Sequence, residues 1–103
     1  MDIVKNFRLT RLFDFYSGML TDKQKLIFER YYFDDASLKE IADECNISRQ
    51  AVRDSLLSAE KSLNELESKI NLLSKFDSIE KLLDESNIDA KYKEKIMQVW
   101  EGE

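Results

Sequence analysis

The chain contains no proline and only two glycines among its 103 residues. A β-sandwich or barrel needs many tight turns, which depend on these two residue types, whereas helices joined by short polar connections need few of them. Aromatic residues make up 11% of the sequence, which is enough for an apolar core even though 36% of the residues are charged. The sequence therefore predicts an all-α fold.

The side-chain inventory excludes several kinds of site. The absence of histidine and the single cysteine exclude the usual zinc sites and histidine-dependent nucleophilic catalysis. We accordingly expect no catalytic residues, no metal and no cofactor. No apolar run approaches the ~20 residues that span a bilayer, so we expect no stable membrane insertion. One cysteine also fits a reducing compartment, and we expect a cytoplasmic protein.

Two short sequences have the form of a capping box, in which a hydroxyl residue caps a helix and a Gln or Glu three residues later reaches back. They run from Thr21 to Gln24 and from Ser37 to Glu40. Asn46 is suited to a left-handed helix ending because asparagine tolerates positive φ. Ser48 can cap the helix that follows. These residues divide the first part of the chain into short helices.

Residues 38–56 have the pattern of a helix-turn-helix. Ala42 supplies the small residue where the two helices cross, and Asn46 stands at the sharp turn four residues later, where glycine is usual. Apolar anchors lie on both sides of the turn, at Ile41, Ile47, Val52 and Leu56. The second helix would begin after Ser48 and present its first residues to a partner.

Several residues around this second helix are candidates for contact with a nucleic acid. Arginine can pair with guanine and glutamine with adenine, while lysine contacts phosphate. The candidates are Lys39, Ser48, Arg49, Gln50, Arg53, Asp54 and Lys61. A plain solvated face is the alternative, because exposed arginines are often only hydrated and acidic residues dilute the positive charge here. The pattern leaves both interpretations open, since a fold does not imply a function.

A heptad-like seam of apolar residues follows the helix-turn-helix. Its members alternate steps of four and three: Val52, Leu56, Ala59, Leu63, Leu66, Ile70 and Leu73. We expect one helix from Arg49 to about Leu73, roughly 38 Å long. Such a seam can pack against the other helices of the chain or against a second copy in a homodimer, and both arrangements bury the same residues.

The distribution of charge supports a two-part organisation. We expect a helix-turn-helix head domain of three or four helices over residues 1–63. A C-terminal helical extension over residues 64–103 would contain the rest of the long helix and acidic amphipathic helices. This extension has six basic and ten acidic residues, and therefore supplies most of the net charge of −5. An acidic extension would be kept away from phosphates.

Two resemblances rest on these motifs. Residues 21–63 resemble the C-terminal region of sigma factors that reads the upstream promoter element, above all in SLKEIA at 37–42 and ISRQAV at 47–52. Over about residues 7–73 the chain is similar to the YlxM family, helix-turn-helix proteins associated with the signal recognition particle in low-GC Gram-positive bacteria and mollicutes. The matching segments are residues 21–24, 31–38, 40–42 and 48–52.

The resemblance to the YlxM family implies a function. The genes of this family commonly neighbour those of the particle's GTPase and its membrane receptor. The implied role is a non-enzymatic accessory or regulatory protein of cotranslational targeting, which binds the GTPase, the receptor or the particle's RNA. The alternative is a DNA-binding transcriptional regulator that reads two half-sites as a dimer. Asp54 argues mildly against base-specific recognition, because a basic or neutral residue is expected there in a promoter reader.

Overall fold

The protein is all-helical over residues 3–100, the part of the chain that the computed structural model describes, with side chains described for residues 7–99. Six α-helices follow one another in this part: α1 (Ile3–Tyr16), α2 (Asp22–Tyr32), α3 (Leu38–Cys45), α4 (Arg49–Ile70), α5 (Leu72–Glu85) and α6 (Ala90–Trp100). A short 3-10 helix (Ser17–Met19) joins α1 to α2. The expected all-α fold is confirmed.

The helix starts lie where the capping residues predict them. Thr21 caps α2 and Ser37 caps α3, and in both cases the capping box is complete. The Ser48 hydroxyl accepts a hydrogen bond of 3.0 Å from the Ala51 N–H at the start of α4. Because each cap satisfies a backbone N–H that has no partner inside its helix, these residues set where the three helices begin.

The long helix ends earlier than the sequence pattern predicts. It stops at Ile70, because Asn71 adopts the left-handed conformation with φ 60° and ψ 32°. The 22 residues of α4 span about 33 Å, and α5 begins at once with Leu72. The expectation of one helix to about Leu73 is therefore wrong, and Leu73 lies on α5 instead of on the seam of α4.

The apolar face of α4 packs within the chain. Val52, Leu56, Ala59 and Leu63 are all at most 5% exposed. They divide between two clusters, one shared with α2 and α3 and the other shared with α1 and α2. Leu66 and Ile70 are half-buried against the second of these clusters. The seam therefore packs against the other helices of the same chain, which is the first of the two arrangements expected from the sequence.

A buried polar cluster holds α1 against the junction of α4 and α5. The Tyr16 hydroxyl donates a 2.6 Å hydrogen bond to Glu67 Oε1, and both side chains are buried. The Leu72 N–H donates to the Tyr16 oxygen and the Leu73 N–H to Glu67 Oε1, each at 3.0 Å. Two otherwise unpaired N–H groups at the start of α5 are thus satisfied. Burial and then the bond to Glu67 raise the pKa of Tyr16, so the hydroxyl keeps its proton.

The contacts divide the chain into an N-terminal unit, Met1–Leu73, and a C-terminal unit, Ser74–Glu103. The N-terminal unit extends beyond the boundary at residue 63 expected from the sequence. The reason is that Leu66, Ile70 and Leu73 belong to the same core as α1. No helix within the described residues is long and apolar enough to cross a membrane.

The polar cluster yields a test of stability. Replacing Tyr16 by Phe keeps the ring but removes the hydroxyl, which leaves the buried Glu67 carboxylate and the Leu72 N–H each without one partner. Unsatisfied buried groups cost about 1–3 kcal/mol each. We expect Tyr16→Phe to lower the free energy of unfolding by about 2 kcal/mol or more in urea titrations at neutral pH.

The control is Ser78→Ala, which removes a hydroxyl from an exposed serine of α5. Its free energy of unfolding should stay within about 0.5 kcal/mol of the wild-type value, as exposed substitutions usually do. Equal changes in the free energy of unfolding for the two substitutions would show that the buried polar cluster does not stabilise the fold.

Candidate functional site

The helix-turn-helix is built from α3, α4 and the turn between them. Asn46 adopts the left-handed conformation, with φ 57° and ψ 46°, as the sequence predicts. The Ile47 N–H donates a 3.0 Å hydrogen bond to the Ala42 carbonyl and closes the turn. Ala42 is 5% exposed and packs with Ile41 and Val52. A larger side chain at position 42 would separate the two helices.

Polar contacts from α2 brace this motif. Arg30 bonds Glu44 of α3 and Asp34, with nitrogen–oxygen distances of 2.9 and 2.7 Å. These bonds, to Asp34 and then to Glu44, raise the pKa of Arg30. The Tyr32 hydroxyl donates to Glu60 of α4 at 2.9 Å. Burial, followed by that bond, raises the pKa of Tyr32 well above its usual value. Both helices of the motif are thus tied to α2.

The structure brings five of the seven candidate residues together. Ser48 caps α4. The first two turns of this helix carry Arg49, Gln50, Arg53 and Asp54, all of them exposed. We call these five residues the α4 surface. The other two candidates lie apart from it: Lys61 is 12 residues beyond Arg49 on α4, about 18 Å along the helix axis, and Lys39 is exposed on the first turn of α3.

The positive and polar groups of the α4 surface are not equally available. Gln50 Nε2 donates a 2.9 Å hydrogen bond to Asp54 Oδ1. Arg49 and Arg53, by contrast, form no hydrogen bond or ion pair with any side chain described between residues 7 and 99. The α4 surface therefore presents two free guanidinium groups beside the hydrogen-bonded side chains of Gln50 and Asp54.

Two acidic residues of the motif are engaged by α2. Glu44 is bonded to Arg30 and Glu60 accepts from Tyr32. These contacts hold the two carboxylates in fixed positions. No group of three or more metal-binding side chains in the described part of the chain is arranged to hold an ion.

Leu57 is a residue of this region that the sequence pattern did not single out. It lies one turn beyond Arg53 on α4 and is 52% exposed. A groove of about 180 Å³ runs beside it, lined by Tyr31, Leu38, Arg53, Leu56, Leu57 and Glu60. The sequence signal that could have identified it is an apolar residue that directly follows Leu56 and does not belong to the apolar seam. The groove gives the charged surface an apolar border.

Comparisons with known proteins agree with this geometry. A family model described as "Putative helix-turn-helix protein, YlxM / p13 like" matches residues 3–101. A UPF0122 protein of Shouchella clausii is 49% identical over 81 residues, which cover 79% of this chain and 74% of that protein. The UPF0122 protein YofM of Lactococcus lactis is 49% identical over 85 residues, covering 82% and 77% of the two chains.

The left-handed turn can be tested with two substitutions of Asn46. Glycine adopts positive φ without steric cost, whereas alanine pays roughly 1–2 kcal/mol. We expect Asn46→Gly to keep or raise the free energy of unfolding, and Asn46→Ala to lower it by about 1 kcal/mol in urea titrations.

Asn64 provides the control because it is exposed within α4. In a helix interior alanine is about 1 kcal/mol better than glycine, so the order of the two variants should reverse there. The same order at both positions would contradict a requirement for positive φ at Asn46.

Proposed function

Because the chain belongs to the UPF0122 family of YlxM- and p13-like helix-turn-helix proteins, we propose that it is a non-enzymatic accessory protein of the signal recognition particle pathway. It acts in the cytoplasm by binding, and the α4 surface with its neighbouring groove is the contact region. The observation that carries this proposal is the combination of two free arginines with an exposed apolar border at Leu57.

This combination favours a protein partner over a bare phosphate backbone. Arginine and aromatic residues are enriched in protein–protein interfaces, where an apolar centre is surrounded by polar groups. Leu57 and the half-buried Tyr31 supply the apolar part, and Arg53 lines the same groove. The partner within the pathway follows from the resemblance to the YlxM family, whose genes commonly neighbour those of the particle's GTPase and receptor. We therefore assign the contact to the GTPase or its receptor, with the particle's RNA as the other outcome.

The Asp54 carboxylate beside Gln50 argues against base reading. Recognition of adenine by glutamine uses the amide nitrogen and oxygen together. Gln50 Nε2 donates one of its two N–H groups to Asp54 and keeps the other for a base. The Asp54 carboxylate therefore stays beside a glutamine that faces a base, one residue from Arg53, and repels nearby phosphates. This cost does not apply to a protein partner that places no phosphate there.

A DNA-binding regulator is the second candidate. It is favoured by the turn geometry at Asn46 together with Arg49 and Arg53 at the start of the second helix of the motif. Such a helix can enter the major groove with its first residues toward the bases. Binding of this kind falls steeply with salt, with a log–log slope of about −0.9 for each phosphate contact.

The two candidates separate in a titration with purified components. The fluorescently labelled full chain is titrated with the particle's GTPase, its receptor, its RNA and a random DNA duplex, and anisotropy is followed at several salt concentrations. We expect saturable binding to the GTPase or receptor that is weakened at least tenfold in Arg49→Ala/Arg53→Ala, because two interface arginines lost together cost at least about 1.4 kcal/mol.

The control variant is Lys69→Ala/Lys81→Ala, which removes the same charge from exposed positions on α4 and α5. It should bind as the wild type does. Equal binding by the arginine variant would remove the α4 surface from the interface. Tight duplex binding with a steep salt slope, and none to the pathway components, would favour the DNA-binding regulator.

A further inference from the structure

The C-terminal unit has no buried core among its described side chains. Of residues 74–99, none falls in the buried class, although α5 and α6 both carry apolar residues. Only 14 and 11 residues long, these helices are marginal in water, since isolated helices shorter than about 12–15 residues rarely persist without packing. Their stability therefore depends on packing against apolar surface.

Each helix presents an apolar stripe for such a contact. On α6 the stripe is Tyr92, Ile96 and Val99, which are 58%, 37% and 78% exposed. On α5 it is Phe76, Ile79 and Leu83, which are half-buried. Both stripes follow the three- and four-residue spacing of one helical face.

The two helices carry opposite charge. Helix α5 has two lysines and four acidic residues, a net charge of −2, whereas α6 has three lysines and one glutamate, a net charge of +2. Glu80 and Asp84 directly follow Ile79 and Leu83 of the α5 stripe. Lys91 and Lys95 directly precede Tyr92 and Ile96 of the α6 stripe. An acidic edge on one stripe thus matches a basic edge on the other.

We infer that the C-terminal unit is a homodimerisation surface, in which the acidic-edged stripe of α5 lies against the basic-edged stripe of α6 from a second copy. A two-fold interface must be self-complementary, since residue i of one copy meets residue j of the other and j meets i. A unit that contains both an acidic and a basic helix meets that condition by itself. A partner of a different kind would need to match both charges separately.

Part of the acidic edge is engaged within one chain, whereas two of the α6 lysines are not. Lys93 forms an ion pair with Asp84 of the same chain and lies in the field of Glu80, and this contact joins α6 to α5. Lys91 is exposed and forms no ion pair within the described residues, while Lys95 lies 5.6 Å from the centre of the Tyr92 ring. Both lysines are therefore placed beside the α6 stripe and available to a second copy.

The first test is the mass of the full chain in solution, measured by light scattering after size exclusion at about 100 μM. We expect twice the chain mass of 12.2 kDa. Ile96→Lys/Val99→Lys should raise the dissociation constant of the dimer at least tenfold. The control is Met19→Lys/Leu26→Lys, which places the same charges at exposed apolar positions of the N-terminal unit and should leave the dimer intact. A one-chain mass for the wild type at this concentration would overturn the inference and leave the surface to another protein.

Charge reversal tests which helices meet. Glu80→Lys/Asp84→Lys makes α5 basic, and Lys91→Glu/Lys95→Glu makes α6 acidic. Each variant alone should show the one-chain mass, because like charges then face one another. An equimolar mixture should recover the two-chain mass, since both contacts of the mixed pair are again between opposite charges. Mixing cannot restore the broken Lys93–Asp84 pair, so recovery reports the contact between copies. A mixture that stays at the one-chain mass would overturn the α5-to-α6 arrangement.

Discussion

The structure depends on the burial of one face of α4 against three shorter helices. Val52 and Leu56 fix α2 and α3 to this face, and Ala59 and Leu63 fix α1. The first two turns of the same helix carry the exposed Arg49 and Arg53, beside that face. Because one rigid helix supplies both the core and the α4 surface, the position of the arginines follows directly from the packing. Loss of this core would therefore remove the fixed positions of Arg49 and Arg53.

Polar contacts decide what the α4 surface can offer. Arg30 engages Glu44, Tyr32 engages Glu60 and Gln50 engages Asp54. These bonds hold acidic groups of the motif in fixed positions, whereas Arg49 and Arg53 have no side-chain partner among the described residues. What remains is a modest positive charge next to an apolar groove, and the proposed contact with a protein uses both.

Much of the fold could be predicted from local sequence signals. The caps at Ser37 and Ser48 and the left-handed Asn46 each have a short-range cause, because a side chain bonds its own neighbouring backbone or tolerates positive φ. The end of α4 carries the same kind of signal in Asn71, but this asparagine lies inside an apolar pattern that continues to Leu73. The N–H of Leu72 that follows it is satisfied by Tyr16 of another helix, a contact that no local pattern reveals.

The candidate site, too, could be predicted only in part from the sequence. Five of its seven predicted residues meet on α4 because they follow one cap and one helical period. The bond between Gln50 and Asp54 has an ordinary four-residue spacing, yet the sequence leaves open whether either side chain turns toward the other. The exposure of Leu57 depends on how α2 and α3 pack against α4, and so does the groove beside it.

Above all, we propose that the α4 surface binds a component of the signal recognition particle pathway. The most direct measurement is affinity capture from native lysate with the tagged full chain, in parallel with Arg49→Ala/Arg53→Ala, reading bound proteins and nucleic acids in the same eluate. We expect enrichment of the particle's GTPase or receptor by the wild type and its loss in the variant, with no discrete DNA. Enrichment of a discrete chromosomal fragment that the variant loses, with no pathway component, would contradict it.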